Sequence, residues 1–152
     1  MEIRSTAFSF NSHIPEKYTC EGENVNPPLE ISGFPDTTKT IVIIVEDPDA
    51  PGGTFDHWLL WNINPNEPLS EKFIPGISGR NDFGKTGYGG PCPPSGTHRY
   101  FFKAFALDCE LDLLAGSVKE DLLAAMKDHV LDKAELVGLY KKHAKKSTKV
   151  TG

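Results

Sequence analysis

The chain has 152 residues, 38 % of them apolar and 24 % charged, which is ordinary usage for about one globular domain and excludes a disordered chain. Its net charge is −5, and residues 141–152 hold five lysines and no acid, leaving 11 Lys and Arg against 21 Asp and Glu in residues 1–140. So acidic a body excludes the basic stripe that nucleic acid requires, and no run approaches the ~20 apolar residues of a membrane span.

The opening Met1-Glu2-Ile3-Arg4-Ser5-Thr6 has neither a basic leader nor an apolar signal core, so a cytoplasmic location is expected. The 14 Gly and 12 Pro cluster in 22–35, 47–53, 64–79 and 84–96, the punctuation of a mainly β domain. Between the clusters, Thr40–Glu46, His57–Ile63 and Tyr100–Leu107 read as strands covered on both faces, at the centre of a sandwich. Within them Trp58 and Trp61 fall on opposite faces as packing residues, and Phe101, Phe102 and Phe105 are expected in the core. Helical signal is confined to the last quarter. Ser117-Val118-Lys119-Glu120 has the form of a capping box, and Leu122, Leu123, Met126 and Val130 follow on one stripe. A final strand is expected over 135–140, then a solvated, frayed basic tail over 141–152, leaving a single domain over 1–140.

Cys20, Cys92 and Cys109 make an odd count without paired Cys-x-x-Cys spacing, which is neither a disulfide framework nor a zinc site. His13, His129 and His143 have no evident partner set and are expected at the surface.

Two segments carry the candidate chemistry. Asp47-Pro48-Asp49-Ala50-Pro51-Gly52-Gly53 closes the strand over 40–46, and the next strand begins at His57. If those strands are antiparallel neighbours, Asp47 and Asp49 face His57 across one sheet edge. The same motif also fits a simple turn, with Asp accepting local backbone hydrogen bonds, and a cis Ala50–Pro51 bond is compatible with it. The second segment is Gly87-Tyr88-Gly89-Gly90-Pro91-Cys92-Pro93-Pro94-Ser95-Gly96-Thr97-His98-Arg99-Tyr100. Its glycines permit close backbone approach and its prolines stiffen the loop. His98 and Tyr100 share a face and Arg99 takes the other. A carboxylate beside imidazole favours a charged His57 or His98. Imidazolium, a phenol O–H and free backbone N–H groups together make a small anion pocket suited to phosphate or carboxylate.

On Asp47-Pro48-Asp49-Ala50-Pro51 and Gly96-Thr97-His98-Arg99-Tyr100, with Asn26-Pro27-Pro28-Leu29 before and Ala134–Tyr140 after, the chain resembles the phosphatidylethanolamine-binding protein family, also called the Raf kinase inhibitor protein family. The spacing is similar to the bacterial and archaeal branch. The resemblance implies an antiparallel β-sandwich with a large central sheet and an anion cavity at one end. It implies Asp47, His57, His98 and Tyr100 as ligand residues, the loop of Gly90, Pro91, Pro93 and Pro94 as rim, and Asp49 behind the site as an orienter. It also suggests a homodimer, no cofactor and a protein partner for some members. Kinase and phospholipid binding, properties of eukaryotic members, are not carried over to this shorter, Lys-ended chain.

The expected role is recognition of a phosphorylated or carboxylate ligand. A second reading is a hydrolase or thiol enzyme pairing Cys92 with His98. A third places a metal on Asp47, Asp49, His57 and His98.

Overall fold

A computed structural model describes residues 1–72 and 75–143. Its strands in chain order are β1 (Glu2–Arg4), β2 (Ser12–His13), β3 (Glu30–Ser32), β4 (Thr40–Asp47), β5 (Phe55–Ile63), β6 (Ile77–Ser78), β7 (His98–Leu107) and β8 (Val130–Tyr140); a 3-10 turn (Glu16–Tyr18) follows β2 and, among the described residues, one α-helix, α1 (Lys119–Met126), precedes β8. Six strands form one sheet in the order β2-β8-β7-β4-β5-β6, and β1 pairs with β3 in a separate ribbon. Every pairing is antiparallel except β2 with β8, so the large sheet is mixed at that edge.

The three apolar runs become the three central strands because each is buried on both faces. Ile41, Ile43 and Val45 join Trp58, Leu60, Tyr100 and Phe102 on one face, beneath Ile3, Phe8 and Ile14. Val42, Ile44, Leu59, Trp61 and Leu107 form the other core, beneath Leu122 and Met126 of α1. Trp58 and Trp61 thus pack into opposite cores, as the alternation requires. Phe102 is fully buried, whereas Phe101 and Phe105 are only half-buried.

The pairing of β4 with β5 is irregular near its start on β5. Val45 stands opposite Trp58 and Glu46 opposite Asp56, which leaves His57 as an extra residue in a β-bulge. Strict alternation would turn His57 away from Trp58; the bulge turns it toward Tyr100 instead.

Several expectations change at the C-terminal end. The capping box does not form, because Ser117 Oγ donates to the Leu114 carbonyl at 2.7 Å and Val118 becomes the N-cap. Only Leu122 and Met126 of the stripe are buried. Leu123 is exposed, and Val130 lies beyond a left-handed Asp128 (φ 69°), already in the last strand. That strand is longer than expected, since its first half is a half-exposed edge without an apolar run. Among the described residues no peptide bond is cis, so the Ala50–Pro51 turn closes with trans geometry. The tail expected to fray lies largely outside the described residues. Its first part is held, with His143 Nε2 2.7 Å from Glu16 Oε1 and the His143 N–H donating to Glu21 Oε1 at 3.1 Å.

Candidate functional site

The ends of β4 and β7 meet at Asp47 and His98, both buried. The Asp47 carboxylate closes the turn and pairs with His98 at once. Its Oδ1 accepts the Asp49 N–H at 2.7 Å, while its Oδ2 takes His98 Nδ1 at 2.7 Å. Alternation along β7 then places Tyr100 beside His98, with ring centroids 6.5 Å apart, and turns Arg99 outward. Asp49 follows Arg99, accepting its backbone N–H at 2.9 Å and its guanidinium at 2.8 and 2.9 Å. Those hydrogen bonds hold the Asp49 carboxyl down at about 2. Asp49 therefore clamps the start of β7 from behind and does not line the cavity.

His57 enters from the bulge. Its Nδ1 lies 2.6 Å from the Gly89 carbonyl, an acceptor, so the neutral ring carries its proton on Nδ1 and keeps a lone pair on Nε2. Burial pushes its pKa below 6.5, outweighing the nearby carbonyls and the Asp47 carboxylate. The expectation of a charged imidazole fails at His57 for that reason.

The Gly/Pro loop supplies rim and anchor separately. Gly89 N–H donates to the His57 carbonyl at 3.0 Å and Gly90 N–H to Asn24 Oδ1 at 2.8 Å, so these N–H groups are not free for an anion. A Cβ on Gly90 would lie 2.2 Å from the Tyr18 carbonyl oxygen, which is why a residue without one stands there. Pro91 accepts the Cys20 N–H at 3.1 Å. The next residue, Cys92, is disulfide-bonded to Cys20 with Cα atoms 5.4 Å apart. This bond corrects both cysteine expectations. An odd count hid one pair, because pairing depends on folded distance rather than spacing, and a bonded Cys92 has no thiol with which to attack.

Together these elements enclose a cavity of about 170 Å³ lined by Asp47, Ala50, Pro51, Phe55, His57, Phe83, Cys92, Pro93, Pro94, His98 and Tyr100. Of the expected site residues, Asp47, His57, Pro93, Pro94, His98 and Tyr100 converge here, while Asp49, Gly90 and Pro91 support the walls. Tyr100 is fully buried, and its Oη makes no well-formed hydrogen bond, although the Asp47 carboxylate and the Cys92 backbone lie near it. Burial, then the Asp47 carboxylate, drives the phenol pKa far up, so Tyr100 stays a donor. The metal set is not assembled, since Asp49 is drawn off to Arg99 and the donor atoms of Asp47, His57 and His98 do not come within 4.8 Å of one another as a group. Sequence reasoning missed Phe55 and Phe83, whose rings stand 4.9 and 5.4 Å from that of His57. Phe55 was discoverable as the strand neighbour opposite Asp47, but Phe83 lies in a loop with no local signal. A larger hollow of about 630 Å³ opens elsewhere, along Glu30–Ser32 and 63–70, and contains no imidazole.

The family model described as phosphatidylethanolamine-binding protein matches residues 4–141. The chain belongs to that family. Within it, a UPF0098 protein of Methanothermobacter thermautotrophicus is 46 % identical over 150 residues, spanning 93 % of this chain and 99 % of the relative. Another, from Pyrococcus horikoshii, is 51 % identical over 149 residues, spanning 91 % of this chain and 75 % of the relative. Among solved structures, a Chlamydia trachomatis protein described as a homologue of the family superposes with a TM-score of 0.90 at 42 % identity, covering 93 % of this chain and 97 % of that one. YbcL of E. coli, described as a member of the mammalian family, gives 0.85 at 30 % identity, covering 93 % and 98 %. The phosphatidylethanolamine-binding protein fold thus accounts for nearly the whole chain, and no described helix is long and apolar enough to cross a membrane.

Proposed function

We propose that this protein binds a small anion, phosphate, a phosphomonoester or a carboxylate, in the cavity between Asp47, His57, His98 and Tyr100. The observation that carries the reading is the Tyr100 hydroxyl, a donor buried at the cavity that makes no well-formed hydrogen bond, its neighbour the Asp47 carboxylate being already engaged by the Asp49 N–H and His98. Leaving such a group unsatisfied costs about 1–3 kcal/mol, and an oxygen of the ligand would offset that cost. The rings of His57 and His98 lie 5.3 and 6.5 Å from that of Tyr100, centroid to centroid, each already oriented through its Nδ1. A cavity of about 170 Å³ limits the enclosed part to a headgroup-sized ligand. The walls of Phe55, Phe83 and three prolines favour an apolar substituent next to the charge.

Binding without turnover suits the site better than catalysis. Cys92 is bonded and the Tyr100 phenol is held protonated, so neither supplies a nucleophile. The role that follows is recognition of a phosphorylated ligand or of a phosphorylated group on a partner protein. Calorimetric titration with inorganic phosphate and O-phosphoethanolamine tests this. Saturable binding is expected, weakened about tenfold in Tyr100→Phe, which removes one hydrogen bond worth about 1–1.5 kcal/mol. Equal affinity in that variant, or no heat at millimolar ligand, would count against the site.

A further inference from the structure

We propose that Asp108, Cys109 and His129 form a separate site for a borderline-soft divalent cation such as zinc. The three side chains offer a carboxylate oxygen, a sulfur and an imidazole nitrogen, all within 4.8 Å of one another. They lie just beyond the end of β7 and just before β8, outside the anion cavity. His129 was expected to be a surface histidine without partners, yet its Nδ1 lies 2.8 Å from Asp108 Oδ1.

The corner is held by the backbone rather than by the donors themselves. Asp108 N–H donates to the His129 carbonyl at 3.0 Å, and His129 N–H donates to the Met126 carbonyl at 2.9 Å. The Cys109 carbonyl accepts the Thr40 hydroxyl at 2.7 Å, and Lys39 N–H reaches the Leu107 carbonyl at 2.8 Å. Main-chain positions are therefore fixed before any ion arrives, which lowers the ordering cost of binding. The side chains keep freedom to turn inward, those of Asp108 and His129 being 43 % exposed each.

Sulfur, nitrogen and oxygen donors suit zinc, at about 2.3 Å for sulfur and about 2.0–2.2 Å for the others. Hard cations that take oxygen ligands fit this set poorly. Three protein ligands leave the fourth tetrahedral position to water. Without a cation, burial and then the Asp108 carboxylate keep the Cys109 thiol protonated. The cation would release the thiol proton and convert the His129 ring to the tautomer with Nδ1 free to ligate.

Because Cys20 and Cys92 are bonded to each other, Cys109 is the one free thiol, so sulfur ligation can be read spectroscopically. The experiment is titration of the whole oxidised chain with cobalt(II), followed by displacement with zinc. A near-ultraviolet thiolate-to-cobalt charge-transfer band is expected, lost on adding one equivalent of zinc and absent in Cys109→Ser. Zinc affinity should fall at least about tenfold in Cys109→Ser and in His129→Gln. Zinc should also raise the unfolding temperature of the parent chain more than that of Cys109→Ser, whose near-isosteric side chain preserves packing. Absence of the band at millimolar cobalt, or zinc affinity unchanged in Cys109→Ser, would overturn the site. Should His129→Gln fail to fold, the Cys109→Ser spectrum decides alone.

Discussion

The lone pair on His57 Nε2 repels an anion oxygen unless a proton stands between them. Its Nδ1 proton is committed to the Gly89 carbonyl, and burial holds its pKa below 6.5. An anion without a proton of its own must therefore take one up to bind at this ring, whereas a phosphate can supply it. The sign for stability follows from the same shift. Below about pH 6.5 the unfolded chain binds this proton more readily than the folded one, so this residue makes ligand-free stability fall as pH drops through that value. Sulfate, which does not titrate in this range, is the clean probe. Its affinity should rise as pH falls from 8 to 5, with part of that rise missing in His57→Gln. A sulfate affinity independent of pH would contradict the proton uptake. Asp47 belongs to the same scale, because its two oxygens hold the Asp49 N–H and His98 Nδ1. Asp47→Asn removes the charge that both hydrogen bonds use. It should destabilise the chain by on the order of 1.5–3 kcal/mol in denaturant unfolding. A loss below about 0.5 kcal/mol would reduce Asp47 to a turn residue.

Among the elements, the loop that carries Pro93 and Pro94 depends on a tether from far away in sequence. The Cys20–Cys92 bond spans 72 residues and lies directly beside the cavity. Closing a loop of that length is worth about 4 kcal/mol in chain entropy, and removing such a bond typically costs about 2–5 kcal/mol. Reduction with a dithiol should therefore lower the unfolding temperature and weaken phosphate binding together, because the rim loses its anchor to the Glu16–Tyr18 turn. Unchanged values of both after verified reduction would show that the hydrogen bonds of Gly90 and Pro91 suffice. This tether was not legible in the sequence, since Cys20 and Cys92 come together only through the fold. The same holds for the bulge at His57. Residue alternation identifies the strand but not the extra residue, which shows only in the pairing of Val45 with Trp58 and Glu46 with Asp56. The capping box failed for a local reason, the nearer Leu114 carbonyl taking the Ser117 hydroxyl. By contrast Ile41–Val45 and Trp58–Trp61 were legible because burial on both faces leaves no room for a polar residue.

At the scale of the molecule, two cores on opposite faces of one sheet fix the strand ends that carry Asp47, His57, His98 and Tyr100. Those four residues come from three adjacent strands, β5, β4 and β7, so sheet order brings them to a common edge and the bulge turns His57 inward there. Residues read as a ligand set from two short motifs and the strand between them thus converge, while Phe55 and Phe83, which shape the cavity, carried no ligand chemistry to mark them. The deciding measurement is a crystal structure of the protein grown in inorganic phosphate. Tetrahedral density is predicted within hydrogen-bond distance of Tyr100 Oη and of ring nitrogens of His57 and His98. A cavity left without phosphate, or closed by the Phe55 and Phe83 side chains while phosphate binds elsewhere, would contradict the account.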